Sequence, residues 1–134
     1  MENMTEIQRI NLCLEIAESL KGHITDKEAV DCVDQAIDLS RRWMDDKSDV
    51  SVNLYDLIDG EDKGFTIFQE AEEDEHMIDI WNCIIDAFAY ICRKVFEDQG
   101  AVYFPEPIEL VDEETFNHMQ DIYHRLEGGN YEKK

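Results

Sequence analysis

Two short elements of the sequence pair a carboxylate with a histidine three residues later, Glu73-x-x-His76 and Asp121-x-x-His124. Two such motifs, together with two further carboxylates projecting into a four-helix core, form di-iron sites. The spacing fits that chemistry, but Asp121 and His124 lie away from the apolar stripe of their predicted helix. Because 33 of the 134 residues are Asp or Glu, such spacings also arise by chance. We therefore predict two solvated helix faces, and neither a metal site nor a cofactor.

The remaining histidines, cysteines and glycines offer no better catalytic pattern. No histidine lies near a Gly-x-Ser-x-Gly elbow that would expose a serine nucleophile. Cys83 and Cys92 fall in the most apolar predicted helix, where a thiolate is disfavoured. Gly128-Gly129 follows a helix and precedes none, so it is not a phosphate-binding loop. The sequence thus predicts a protein that is not an enzyme.

The elements that hold these residues are predicted to be helical. Residues 5–8 and 25–28 both have the pattern of a capping box and should begin the first two helices. Gly22 is expected to end the first of them in a left-handed conformation. A shorter helix is predicted over about 50–58, whereas the apolar run 65–69 fits a helix or a strand.

The longest predicted helix spans about 72–98, and Gly100 is its expected C-terminal stop. Segment 101–110 contains both prolines, so it is predicted to be extended and to pack Tyr103 and Phe104 onto the core. A last helix should follow Asp112 and end near residue 127. Apolar residues cover more than half of the circumference of the long helix, which marks it as central: Met77, Ile80, Trp81, Ile84, Phe88, Ile91, Cys92 and Val95.

These elements predict an all-α fold, a single-domain bundle of five or six helices around a long central helix. We expect residues 1–134 to form one helical domain, with 128–134 a frayed tail. The N-terminus has no basic region followed by an apolar one, and no apolar run approaches the roughly 20 residues of a membrane span. The four cysteines form no Cys-x-x-Cys pair and should be reduced. A cytoplasmic location is therefore expected.

The charge of the chain narrows its possible partners. The formal net charge is −21, from 12 basic and 33 acidic residues. Nucleic-acid affinity comes largely from Lys and Arg that neutralise phosphates, and the basic residues here are scattered. The nearest thing to a cluster, Arg41-Arg42, follows Asp34 and Asp38 at intrahelical pairing distance. The sequence thus argues against nucleic-acid and membrane partners and favours a basic protein. It does not predict an oligomeric state.

The acidic residues are themselves patterned. Asp31, Asp34, Asp38 and Asp45 fall within about 60° of one another around the second helix, at about 100° per residue. A second concentration, Glu70, Glu72, Glu73, Asp74 and Glu75, stands at the start of the long helix, where the helix dipole alone would explain about half of it. We take the four aspartates of the second helix, together with Glu72, Glu73, Asp74 and Glu75, as the predicted acidic face. A third concentration, between Glu106 and Glu114, lies where the Pro-containing segment meets the last helix. Each group alone could be a solvated surface, whereas the three together favour a basic partner.

The order of these features resembles an all-α immunity protein family of bacterial polymorphic-toxin systems. The resemblance rests on the Trp-containing segment 78–82 of the long helix, the Pro-containing connection 104–109, and the final helix after 111–113. It implies a small cytosolic protein that binds and neutralises a cognate toxin domain. It brings no catalytic residues and no fixed toxin-contacting positions. A basic toxin domain, such as a nuclease, would suit the acidic face.

Two other classes remain open at this stage. The chain could be an acidic adaptor or regulator that binds another basic protein, including by mimicry of DNA. It could also be a metal-dependent helical-bundle enzyme, which stoichiometric iron or manganese would reveal.

Overall fold

A computed structural model describes residues 4–60 and 64–127 of the chain. Within these ranges the chain forms helices and no strands, so the predicted all-α class is confirmed. The helices are α1 Glu6–Lys21, α2 Lys27–Asp46, α3 Ser51–Asp59, α4 Phe65–Glu70, α5 Glu75–Asp98, the single turn α6 Glu106–Glu109, and α7 Glu113–Glu127. The predicted tail 128–134 lies outside the described residues. Reading the chain as one domain stays a prediction.

Helix α5 is the centre of the bundle, as its broad apolar surface predicted. It packs against α7, α1, α4 and α3, and more weakly against α2. Trp81 is buried on α5, stacked on Phe68 at 5.7 Å between ring centroids and 5.6 Å from Phe65. These two rings come from α4, the segment that the sequence left open between helix and strand.

Contacts along α5 fix the directions of its neighbours. The rings of His23 and His76 lie 5.9 Å apart at the start of α2 and α5, and Trp43 Nε1 donates a 2.9 Å hydrogen bond to Asp98 at their ends. Helix α2 therefore runs parallel to α5. Helix α7 runs antiparallel to α5. Phe116, near the start of α7, contacts the ring of Tyr90, in the C-terminal half of α5, with 5.3 Å between ring centroids. We refer below to the His76 end and the Asp98 end of the bundle.

The predicted helix starts and stops are partly correct. The capping box at Thr5 is confirmed, with Thr5 and Gln8 bonded to each other in both directions. The N-cap of α2 is Asp26 and not Thr25: its carboxylate accepts from the backbone N–H groups of residues 28 and 29, and a charge is favoured there by the helix dipole. Gly22 has φ −64°, a right-handed conformation, so the prediction of a left-handed stop is wrong. The chain instead continues into a tight turn, in which His23 N–H bonds to the carbonyl of Leu20. Gly100, with φ 77°, is the left-handed stop that was predicted for α5.

Two further boundaries differ from the sequence prediction. Helix α5 begins at Glu75 and not near residue 72, because residues 71–74 turn the chain between α4 and α5. The connection after α5 contains the one-turn helix α6, which was excluded because of the prolines. Pro107 stands within the first two positions of that helix, where no backbone N–H is needed.

The same connection differs in which ring it buries. Phe104 packs on the core and against the Phe96 ring at 6.1 Å, as predicted. Tyr103 is 88% exposed, so its predicted packing on the core is wrong. Arg93 explains the difference, since its guanidinium lies 4.0 Å from the centre of the Phe104 ring and bonds to the backbone carbonyl of Glu109. The connection is held to α5 on that side, and Tyr103 points to solvent.

Candidate functional site

The acidic stripe of α2 lies mainly in solvent. Asp31, Asp38 and Asp45 are exposed, and none of them has a lysine or arginine nitrogen within 4.0 Å among the described residues. Asp34 differs, because its Oδ1 lies 2.6 Å from the Lys21 ammonium of α1 and its side chain is about half exposed. This contact is the main reason that the pKa of Lys21 is raised. Within the described part of the chain, three of the four carboxylates thus present an unpaired negative charge to solvent, whereas the charge of Asp34 is paired with Lys21 of α1.

The pairing of the basic residues of α2 also crosses between helices. Arg41 Nη2 lies 3.4 Å from Glu18 of α1, and not against the aspartates of its own helix as the spacing suggested. Glu18 also lies 3.3 Å from Lys21. The ion pairs therefore bind α1 to α2 and leave the outer aspartates of α2 unneutralised.

The second half of the predicted acidic face lies at the His76 end. Glu73, Asp74 and Glu75 are exposed and Glu72 is half-buried. Asp74 occupies the N-cap position of α5 without a side-chain capping hydrogen bond. Helix capping therefore accounts for less of this concentration than the sequence suggested, since of these four residues only Glu75 lies inside the first turn.

One contact relates the positions of the two halves of the face along the bundle. The contact between His23 and His76 brings the turn before α2 next to the start of α5. Asp31 is the stripe residue nearest to that turn along the helix. Asp45 lies about 21 Å further along α2, at 1.5 Å per residue, towards the Asp98 end. Along the bundle axis, Asp31 is therefore the stripe residue closest to the His76 end, and Asp45 lies towards the Asp98 end.

A second surface was not selected from the sequence, and we call it the connection surface. It lies between α5 and α7 and consists of Val102, Tyr103, Glu106, Glu109, Leu110 and Asp112. Val102 is 79% exposed and Leu110 is 85% exposed, and with Tyr103 they are the three most exposed large hydrophobic residues described. Exposed residues of the third acidic concentration belong to the same connection. Apolar periodicity could not have found this surface, because the segment has no regular period; its unusual mixture of apolar and acidic residues was the available signal.

A groove lies beside Leu110. It lies among α3, α4, α5 and the α6–α7 segment, has a volume of about 250 Å³, and is lined in part by Asp59 and Asp86. We call it the Asp59–Asp86 groove. Its apolar lining comes from Ile58, Ile85, Ala89, Ile108 and Val111.

Hydrogen bonds hold both groove carboxylates in place. Asp59 accepts from the hydroxyl of Thr66 at 3.0 Å and from that of Tyr55 at 3.4 Å. Oδ2 of Asp86 lies 2.6 Å from Nδ1 of His118 on α7. Burial raises the pKa of Asp86, and the contact with His118 lowers it by less. Among the described residues, no lysine or arginine nitrogen lies within 4.0 Å of either carboxylate.

The comparison with protein families identifies the chain. The family model described as Immunity protein Imm6 matches residues 8–127. The chain belongs to this immunity protein family. The match covers α2 to α7 completely and nearly all of α1, so both the acidic face and the connection surface lie within it. No curated protein and no solved structure matches the chain.

The four cysteines of this Imm6 family member are buried and form no disulfide. Burial raises the pKa of Cys83 and of Cys92 to about 12, and it raises the pKa of Cys13 further. All three are therefore protonated at neutral pH and poor nucleophiles. They act as small apolar side chains of the core.

The carboxylate–histidine motifs do not converge in the part of the chain that the structure describes. Asp121 and His124 are exposed on α7, while Glu73 precedes α5 and His76 is half-buried in its first turn. Over residues 4–60 and 64–127, no group of three or more His, Cys, Asp or Glu side chains is arranged to hold a metal ion. Over the same residues, no helix is long and apolar enough to cross a membrane.

Proposed function

We propose that this chain is a non-enzymatic, cytoplasmic inhibitor that binds a cognate toxin domain with a basic surface and neutralises it by covering that surface. Membership of the Imm6 immunity protein family is the observation that carries this proposal. The family supplies the class of partner, a toxin. The charge of the chain supplies the chemistry of the contact.

The distribution of charge supports a basic partner. Arg9, Lys21, Arg93 and Lys94 each lie within 4.0 Å of a carboxylate of the same chain, so much of the positive charge is paired internally. The predicted acidic face keeps most of its carboxylates in solvent. Such a field attracts a basic protein and raises its association rate, in a manner that salt weakens. A toxin that acts on nucleic acid would carry a basic surface of this kind.

The test begins with protection. Expression of the toxin domain encoded beside this chain should stop growth of a bacterial host, and co-expression of the chain should restore it. An inactive form of the same toxin domain should bind the purified chain at one-to-one stoichiometry. If several unrelated basic proteins bind equally well and growth is not restored, the acidic adaptor explains the chain better than the immunity function.

A matched pair of charge variants tests the predicted acidic face. The triple variant Asp38→Lys, Glu73→Lys and Glu75→Lys should slow association with the toxin domain by about tenfold at low salt. The control is Glu15→Lys, Asp56→Lys and Asp121→Lys, which changes three exposed carboxylates on α1, α3 and α7 by the same total charge. A smaller effect of the control would assign the steering to the face; equal effects would assign it to net charge alone.

A further inference from the structure

We infer that the Asp59–Asp86 groove is the place where the chain receives a cationic side chain, arginine or lysine, of the toxin domain, with Leu110 beside it in the buried centre of the interface. The inference rests on the proposed function for the identity of the partner. The groove and the connection surface supply the chemistry.

The size of the groove suits one side chain of a protein. Its volume of about 250 Å³ lies below the roughly 300–1,000 Å³ of small-molecule pockets. The lining is mostly aliphatic, from Ile58, Ile85 and Ile108 among others. Lysine and arginine have aliphatic stems that pack on such surfaces while the charged end reaches a polar group. The groove offers both parts of that arrangement.

The two carboxylates favour a cation over an apolar or anionic guest. Asp59 is fixed by Thr66 and Tyr55, and Asp86 by His118, so both are oriented before a partner arrives. Among the described residues, no lysine or arginine nitrogen lies within 4.0 Å of either carboxylate. In this part of the chain, a cationic side chain of the toxin domain would therefore make their first contact with a lysine or an arginine. Charge-assisted bonds from a guanidinium to carboxylates are among the strong hydrogen bonds of interfaces.

The surroundings resemble the centre of a protein–protein interface. Leu110 lines the groove and is 85% exposed. Tyr103 and Val102 are exposed on the same connection, and its Glu106, Glu109 and Asp112 are exposed as well. Interfaces place apolar and aromatic residues at the centre and polar residues at the rim, and a few central residues supply most of the affinity. The α2 stripe has no comparable exposed large apolar residue described beside it.

The acidic face and the groove should therefore act on different rate constants. Exposed charges act at long range and change mainly the association rate, whereas contacts in a desolvated centre change mainly the dissociation rate. Variants of the groove should shorten the lifetime of the complex. Variants of the acidic face should slow its formation.

The first experiment measures binding of the inactive toxin domain to two arginine variants by surface plasmon resonance. Leu110→Arg alters the groove, and Ile7→Arg alters an exposed residue of α1 that does not line it. Each adds one positive charge to the net charge of −21, so long-range attraction changes equally. We expect Leu110→Arg to weaken binding at least about 30-fold, mainly through faster dissociation, and Ile7→Arg by no more than about threefold.

A double variant, Asp59→Asn with Asp86→Asn, separates the carboxylates from Leu110. It should also speed dissociation by about tenfold or more, while circular dichroism confirms the native helical content. If Leu110→Arg and the double variant both bind as the wild type does, the inference is overturned although the immunity function stands. If the wild-type chain neither binds the toxin domain nor protects against it, the proposed function fails first.

The second experiment tests the groove without the toxin. Nα-acetyl-arginine amide is titrated into the labelled chain and followed by two-dimensional NMR, with the citrulline amide as the uncharged control. The arginine compound should shift the signals of Asp59, Asp86 and Leu110 most, and the double variant should lose these shifts. Equal shifts with citrulline, or arginine shifts no larger in the groove than at Glu73 and Glu75, would contradict a cation site in the groove.

Discussion

Oδ2 of Asp86, in the middle of α5, lies 2.6 Å from Nδ1 of His118 on α7. The carboxylate is largely buried, whereas the imidazole is exposed. Burial raises the pKa of Asp86 more than the contact with His118 lowers it. The carboxylate of Asp86, which lines the groove, is thus poorly solvated when it is negatively charged. That position costs stability, and the cost should be measurable.

Asp86→Asn should become more stable relative to the wild type as pH rises. With its pKa raised by folding, Asp86 contributes stability below the unfolded value near 3.8, and this contribution is lost as pH rises through the folded value. Asparagine does not titrate. Each pKa unit between the two states corresponds to about 1.4 kcal/mol. Urea unfolding at several values between about pH 3 and pH 6.5 measures the difference, with Asp121→Asn on α7 as the exposed control. A constant difference across that range would contradict the burial argument.

Tyr90 gives a second pH dependence, at the alkaline side. Its hydroxyl donates to Glu6 at 2.9 Å and accepts from Arg9 at 3.4 Å, and burial raises its pKa to about 12. Between about pH 10 and pH 12 the unfolded chain loses the phenol proton first, so wild-type stability should fall in that range. Tyr90→Phe should show a smaller fall, because the buried thiols, whose pKa values are also raised, still contribute theirs. It should lose about 1 kcal/mol at neutral pH. Urea midpoints from pH 8 upwards test both, and Tyr123→Phe controls for loss of a half-buried hydroxyl.

The regular part of the fold was predictable because its signal is local. Apolar residues repeating with the helical period identified Ile80, Trp81, Ile84 and Phe88 as core positions, and all four are buried. The turn at Gly22 and the start of α5 were not predicted correctly. Both depend on how the chain turns towards the next helix, which the local pattern does not contain.

The groove and the connection surface could not be derived from the sequence for a related reason. Asp59 and Asp86 line the same groove only because α3, α4 and α7 all pack against α5. Tyr103 is exposed because Arg93 binds the other side of the connection, at the backbone carbonyl of Glu109. The ion pair of Asp34 with Lys21 likewise joins two helices. Each of these is a tertiary contact between residues of different elements. Such contacts leave no periodic pattern in the sequence from which they could be predicted.

Trp81→Ala should behave as a core truncation. The ring is buried and contacts Phe65 and Phe68, so its removal leaves a cavity and should cost roughly 3–5 kcal/mol. Urea unfolding followed by circular dichroism measures the loss. Val52→Ala, at an exposed position of α3, should change stability by less than about 0.5 kcal/mol. A Trp81 variant of full stability that no longer bound the toxin domain would instead place this residue in the interface.

Charge reversal should have different consequences at Asp34 and Asp38. Asp34→Lys would place an ammonium beside Lys21, which now lies 2.6 Å from Oδ1 of Asp34, so the pair between α1 and α2 would become a repulsion. Exposed ion pairs contribute about 0.2–1 kcal/mol, and we expect a loss of stability of that order or slightly more. Asp38→Lys changes an exposed residue and should leave the urea midpoint within error. Both variants should slow association with the toxin domain and reduce its dependence on salt. Unfolding of the Asp38 variant would show that this residue does not belong to an exposed face, whereas normal folding with unchanged association would remove it from the binding surface.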